Sequence, residues 1–111
     1  MTTLDVTTER TEDQTRIALI GELDIASTEV LERELETLEA DSPVTLVLDL
    51  RRVEFIDSTG LRAVIAADER ARKMGRRFVV VRGPNAVDRL FTVTQLDRRL
   101  EIVDDPDAIR V

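Results

Sequence analysis

Val53-Glu54-Phe55-Ile56-Asp57-Ser58-Thr59-Gly60-Leu61 is the stretch on which the reading of this chain turns. It follows an apolar strand over residues 44–50 and leads into a helical pattern that starts near Gly60. Asp57 or Ser58 is therefore placed to cap a helix, because a side-chain oxygen there accepts from one of the N–H groups left free in a first turn. Read alone, Asp57-Ser58-Thr59-Gly60 is a cap and a first turn, and short motifs of this kind recur by chance. A hydroxyl held at the positive end of a helix dipole is also suited to carry a covalent charge. The surrounding chain decides between the two.

Upstream of that stretch, residues 4–9 alternate weakly as a short strand, and Thr11-Glu12-Asp13-Gln14 is a polar turn. Residues 15–23 form a second strand with Ile17, Leu19 and Leu23 on one face, and so short a connection makes an antiparallel hairpin. Gly21 lies near the end of that strand, where glycine permits a bulge or a close backbone approach. A helix then opens with Ser27 or Thr28 as cap, carries Leu31, Leu35 and Leu38 with Val30 beside them, and ends at Asp41-Ser42-Pro43. Its Glu29, Glu32, Glu34, Glu36 and Glu39 read as a solvated face.

Downstream, Leu61, Val64, Ile65, Ala71 and Met74 make the buried stripe of a second helix that ends at Gly75. Residues 78–81 are a continuously apolar strand, as expected for a parallel sheet covered by helices. Pro84 suits the first turn of a third helix with Val87, Leu90 and Phe91 on one face. Residues 99–103 read as a last strand and 106–111 as a terminal helical turn. The alternation predicts an α/β fold: one domain over residues 1–111, a mixed, mostly parallel sheet, an N-terminal antiparallel hairpin and crossover helices. The carboxyl ends of the central strands, where Glu22, Asp24 and Asp57 fall beside Ser58, are where such sheets place their sites.

Composition narrows the function. The 111 residues carry a net charge of -7, which argues against nucleic acid as a partner, and the aromatic residues are Phe55, Phe78 and Phe91 alone. Histidine and cysteine are both absent, removing the commonest general base, the strongest nucleophile and the usual zinc ligands. No apolar run approaches the ~20 residues of a membrane span, and the N-terminus lacks the regions of a signal peptide. We expect a cytoplasmic protein that works by binding, with no membrane partner, cofactor or metal.

The order of elements, with Gly21-Glu22-Leu23-Asp24-Ile25, Leu48-Asp49-Leu50 and Phe55-Ile56-Asp57-Ser58-Thr59-Gly60-Leu61, resembles the STAS domain, and more narrowly the stand-alone bacterial anti-sigma factor antagonists. Gly75, Pro84 and residues 87–96 extend the resemblance over nearly the whole chain. It implies a partner-switching regulator of sigma factor activity that is not itself an enzyme. The unmodified protein binds an anti-sigma factor serine/threonine kinase and frees the sigma factor. The kinase phosphorylates the serine matching Ser58, with Thr59 the alternative acceptor, and a serine phosphatase, bound transiently, restores it. The resemblance assigns partner contacts to Asp24, Asp57, Ser58, Thr59, Gly60, Leu61 and Arg62, and Gly60 is expected to keep the helix start uncrowded for the partner.

Two other functions compete. STAS domains also serve as accessory subunits docked on a transporter ATPase, a binding role that the intact Asp57-Ser58-Thr59-Gly60 disfavours. Nucleotide hydrolysis, or phosphotransfer through Asp57 or Ser58, is disfavoured by the absence of a Walker A pattern. The single lysine, Lys73, and the glycines at positions 21, 60, 75 and 83 do not compose one.

Overall fold

In a computed structural model that describes residues 3–109, the hairpin β1 (Leu4–Arg10) and β2 (Thr15–Leu23) is followed by α1 (Thr28–Glu39), β3 (Thr45–Ile56), α2 (Ser58–Lys73), β4 (Arg77–Val81), α3 (Asn85–Val93) and β5 (Glu101–Val103). Strand order in the sheet follows chain order, with β1 antiparallel to β2 and every later pairing parallel. The mixed, mostly parallel sheet expected from the alternation is therefore the one formed. Leu46, Leu48 and Leu50 of β3 share one buried cluster with Ile17 and Leu19 of β2, Leu31, Leu35 and Leu38 of α1, Val64 and Ala71 of α2, and Val87 and Phe91 of α3. Burying each Leu, Val or Phe there contributes about 1.5–3 kcal/mol. The other face is apolar only at its centre, where Val47, Val79 and Val81 pack against Val103 and Ile109. The strands of the centre are thus apolar on both faces.

Several details differ from the sequence reading, among them the last strand, which is Glu101–Val103 and not 99–103. The third strand does not end at Leu50 but runs to Ile56, because Val53 and Ile56 are buried and residues 52–56 stay paired with β2 through two register shifts. Half of the stretch around Ser58 is thus strand, and Asp57 follows it directly. Met74 is not part of the stripe of α2: it lies past the last turn and is 69% exposed, while Gly60, Ala63, Ala67 and Asp68 are buried instead. Pro84 stands at the cap of α3, one residue before its first turn. Ser27 occupies the cap position of α1 but makes no cap bond, since its hydroxyl donates back to the Glu22 carbonyl at 2.7 Å. Of the expected terminal turn, Pro106–Ala108 forms a short 3-10 turn, and residues 110–111 lie outside the described residues.

Gly21 makes the close approach foreseen for it. Its φ is +112°, and a Cβ would stand 2.2 Å from the Thr3 carbonyl oxygen, which accepts the Glu22 N–H at 2.9 Å. This bend at the end of β2 aims the following loop, residues 24–27, towards the start of α2. Gly75 has φ +67° just beyond α2, where glycine terminates a helix without strain.

Candidate functional site

Asp57 holds the site together. It is the cap of α2: its Oδ1 accepts the Gly60 N–H at 2.9 Å, and its Oδ2 accepts the Ile25 N–H at 3.0 Å from the β2–α1 loop. Its own N–H donates to the Leu23 carbonyl at 3.2 Å, and its carbonyl accepts the Leu61 N–H at 2.9 Å. One residue thereby joins the end of β2, the loop after it and the first turn of α2. The Gly60 N–H above all, with those of Ile25 and Thr59 adding to it, holds the Asp57 carboxyl below the usual carboxylate range, against an opposing desolvation that outweighs either of the latter two alone.

The choice between Asp57 and Ser58 as cap is settled in favour of Asp57, and this frees the serine. Ser58 is the first residue of α2 and is exposed, and its hydroxyl has no partner within the described chain. Thr59, next along, is half-buried. Asp24 makes its hydrogen bonds within its own loop. Its Oδ1 accepts the N–H groups of Ala26 and Ser27, each at 3.0 Å. Asp24 is thus the brace of its own loop, and that loop reaches the site through the Ile25 N–H.

Gly60 and Leu61 are both buried, so neither supplies a contact surface. The expectation that Gly60 clears space for a partner is corrected here. A Cβ at Gly60 would stand 2.5 Å from the Leu23 carbonyl oxygen and 2.8 Å from Leu23 Cγ, so the glycine faces inward and lets α2 sit against the end of β2. Arg62 is exposed on the outer side of the same turn. Two exposed apolar residues escaped the sequence reading: Ile25, 77% exposed, and Phe55, 50% exposed. A strand ending later than Leu50 would have been the signal for Phe55, since it places that ring opposite the buried Ile56.

Among the described residues, no group of three or more His, Cys, Asp or Glu is placed to hold a metal ion, and no helix is long and apolar enough to cross a membrane. A hollow of about 420 Å³ lined by Glu36, Ala40, Lys73 and Met74 lies at the far end of α2, about 20 Å from Ser58 by helical rise.

The cap of α2 yields a pH prediction. A carboxylate whose folded pKa is depressed contributes stability above its unfolded pKa and loses it as pH falls through the folded value. Wild type should therefore melt above Asp57→Ala at neutral pH, and the gap should narrow progressively below about pH 4. Asp57→Asn, which retains one acceptor oxygen for the Gly60 N–H, should fall between them. Thermal melts of the three proteins from pH 7 to pH 3 test this, and a gap independent of pH would refute it.

The family model described as "Mlab, STAS domain" matches residues 6–104. The anti-sigma-F factor antagonist RsfB of Mycobacterium tuberculosis is 36% identical over 67 residues, which cover 60% of this chain and 55% of that protein. The match thus spans about half the length of that curated relative. The anti-sigma-B factor antagonist of Listeria monocytogenes is 30% identical over 94 residues, 85% of this chain and 82% of that one. Among solved structures, an anti-sigma factor antagonist from Mycobacterium paratuberculosis superposes with a TM-score of 0.87 at 31% identity, covering 94% of this chain and 88% of that chain.

Proposed function

Because the chain belongs to the STAS domain family, we propose that it acts as an anti-sigma factor antagonist whose affinity is switched by phosphorylation of Ser58. Unmodified, it binds an anti-sigma factor serine/threonine kinase and releases the sigma factor. The kinase then transfers the γ-phosphoryl group of its own ATP to Ser58 Oγ: an O–P bond forms, the hydroxyl proton leaves and ADP departs. A serine phosphatase hydrolyses the monoester and resets the protein. This chain supplies the acceptor and the docking surface, and the catalytic groups belong to its partners.

The observation that carries the reading is the free hydroxyl of Ser58, exposed at the first position of α2 while Asp57 alone performs the capping. An acceptor must be reachable, and it must not be needed by the fold. Ser58 meets both conditions, and the half-buried Thr59 meets the first less well. Ser58 stands at the amino end of α2, where the helix dipole favours a negative charge, so the modified helix start is tolerated.

Incubating the protein with ATP and the candidate anti-sigma kinases of its genome, followed by mass spectrometric mapping, tests the reading directly. One phosphate on Ser58 is expected. Ser58→Ala should accept none, bind the same kinase and melt within about 0.5 kcal/mol of wild type, because it removes no cap. A phosphate mapped to Thr59 would move the acceptor by one residue. Absence of any phosphate, with recovery of a transporter ATPase in a pull-down, would replace the switch with the accessory-subunit role.

A further inference from the structure

A second hollow, of about 360 Å³, lies at the carboxyl end of α2 beside the first residues of β4 and β5, and Asp68, Arg72, Arg76, Arg77, Arg99 and Glu101 line it. By helical rise Arg72 stands about 21 Å from Ser58, so this place is separate from the start of α2. Four guanidinium groups meet two carboxylates there, in a chain whose net charge is -7. Asp68 is 4% exposed, and its Oδ2 accepts Arg72 Nε at 2.9 Å and lies 3.7 Å from Arg99 Nε. Arg77 Nε donates to Glu101 at 2.9 Å, and Glu69, outside the lining, pairs with Arg99 at 3.1 Å. One positive charge is left over. Arg76 carries it: among the described residues its partners are carbonyl oxygens, Pro43 at 2.9 Å and Glu39 at 3.5 Å.

We infer that this hollow binds a phosphate group, free or carried as a monoester on a small molecule. Arginine forks match the oxygens of phosphate, and no lysine lines the hollow. The Nη1 groups of Arg72, Arg76 and Arg99 make no hydrogen bond among the described residues, so donors from three side chains are spare around one space. A purely structural role would fasten α2 to residues 99–101. The Asp68 contacts and the 2.6 Å bond from Arg72 to the Arg99 carbonyl achieve that without the charge of Arg76 or any Nη1. Asp68 also holds two of the forks in place beforehand, which lowers the ordering cost of binding. The volume falls at the low end of ligand hollows, roughly 300–1,000 Å³, and admits a small ester as well as the free ion. The reading of Ser58 as acceptor plays no part in this assignment.

The test is titration of ¹⁵N-labelled protein with inorganic phosphate and with glycerol 1-phosphate at constant ionic strength, sodium chloride serving as reference. Arginine Nε–H resonances report the site, and saturation with Kd of about 1 mM or lower is expected. Arg76→Gln and Arg99→Gln should each raise Kd about tenfold. Arg33→Gln removes the same charge from a side chain on α1 that is 78% exposed and should stay within about twofold. Glu69→Gln removes the carboxylate that competes for Arg99 and should lower Kd about threefold, while Glu29→Gln should not. Tightening cannot arise from misfolding, so Glu69→Gln decides if the arginine variants melt early, and an unchanged Kd there overturns the site. Equal affinity for both probes assigns recognition to the phosphate group alone, and tighter binding of the ester assigns part of it to the carbon skeleton. Shifts that do not saturate, that chloride reproduces, or that Arg33→Gln weakens as much as Arg76→Gln denote an adventitious ion only and overturn the inference.

Discussion

Phosphorylated on Ser58, the protein is expected to lose about a thousandfold in affinity for the anti-sigma kinase proposed as its partner while keeping its native fold. The modification adds about -1.5 to -2 charges at neutral pH. Within the free domain the effects oppose one another. The amino end of the 16-residue helix α2 favours the anion by about 0.3–1 kcal/mol, and the neighbouring Asp57 carboxylate opposes it. Asp24 opposes it as well, a carboxylate held in its own loop by the Ala26 and Ser27 N–H groups. The hydroxyl being replaced takes part in no hydrogen bond of the described chain, so nothing in the fold is dismantled. At the interface compensation is weaker: a unit charge repelled at 4 Å costs about 4 kcal/mol at an effective dielectric near 20, roughly a thousandfold. Calorimetric titration of kinase with phosphorylated and unmodified protein reads the affinity, and circular dichroism with thermal melting reads the fold. Unchanged affinity, or a loss of binding accompanied by a non-cooperative melt, would sink this account.

Much of this was legible in the sequence, for identifiable reasons. Turn chemistry and 3.6-residue periodicity are local properties, so β2, the core face of α1 and the start of α2 lie where the residues put them. The end of β3 was not legible. Residues 51–56 break the strict alternation because two register shifts against β2 change which side chains face inward, and only the paired strand reveals that. Missing those residues as strand also hid the exposure of Phe55. The cap of α2 was narrowed to two oxygens, and the backbone geometry chose Asp57. The second hydrogen bond of Asp57, to Ile25, links positions 32 apart and has no sequence signal. Asp24 has a signal that points elsewhere: aspartate followed by a serine three residues on is a local loop brace, and the structure uses it as one.

Gly60→Leu should abolish the folded domain, although Gly60 looks from the sequence like a site where bulk would only obstruct a partner. The first added atom, Cβ, would lie 2.5 Å from the Leu23 carbonyl oxygen, 2.8 Å from Leu23 Cγ and 3.1 Å from Ile56 Cγ1. A side-chain carbon can move aside, and a backbone oxygen in a strand cannot. That oxygen also accepts the Asp57 N–H, so retreat of β2 would break the bond at the start of α2 and strain the contact between Asp57 and Ile25. Even alanine should destabilise: overpacking costs about 1–3 kcal/mol, and the gain of about 1 kcal/mol in helix propensity over glycine recovers part of it. Leucine adds branched volume between buried Leu23 and Ile56 and should exceed that range, a large share of the ~5–15 kcal/mol that holds a domain. Urea denaturation of wild type, Gly60→Ala, Gly60→Leu and Arg62→Ala orders the effects, with the exposed Arg62→Ala within about 0.5 kcal/mol of wild type. If Gly60→Leu unfolds at the wild-type midpoint, the glycine faces outward and the packing described for α2 is wrong. If it fails to fold, loss of kinase binding by a bulky residue at position 60 says nothing about the interface, and Arg62, on the outer side of the same turn, is the residue with which to probe it.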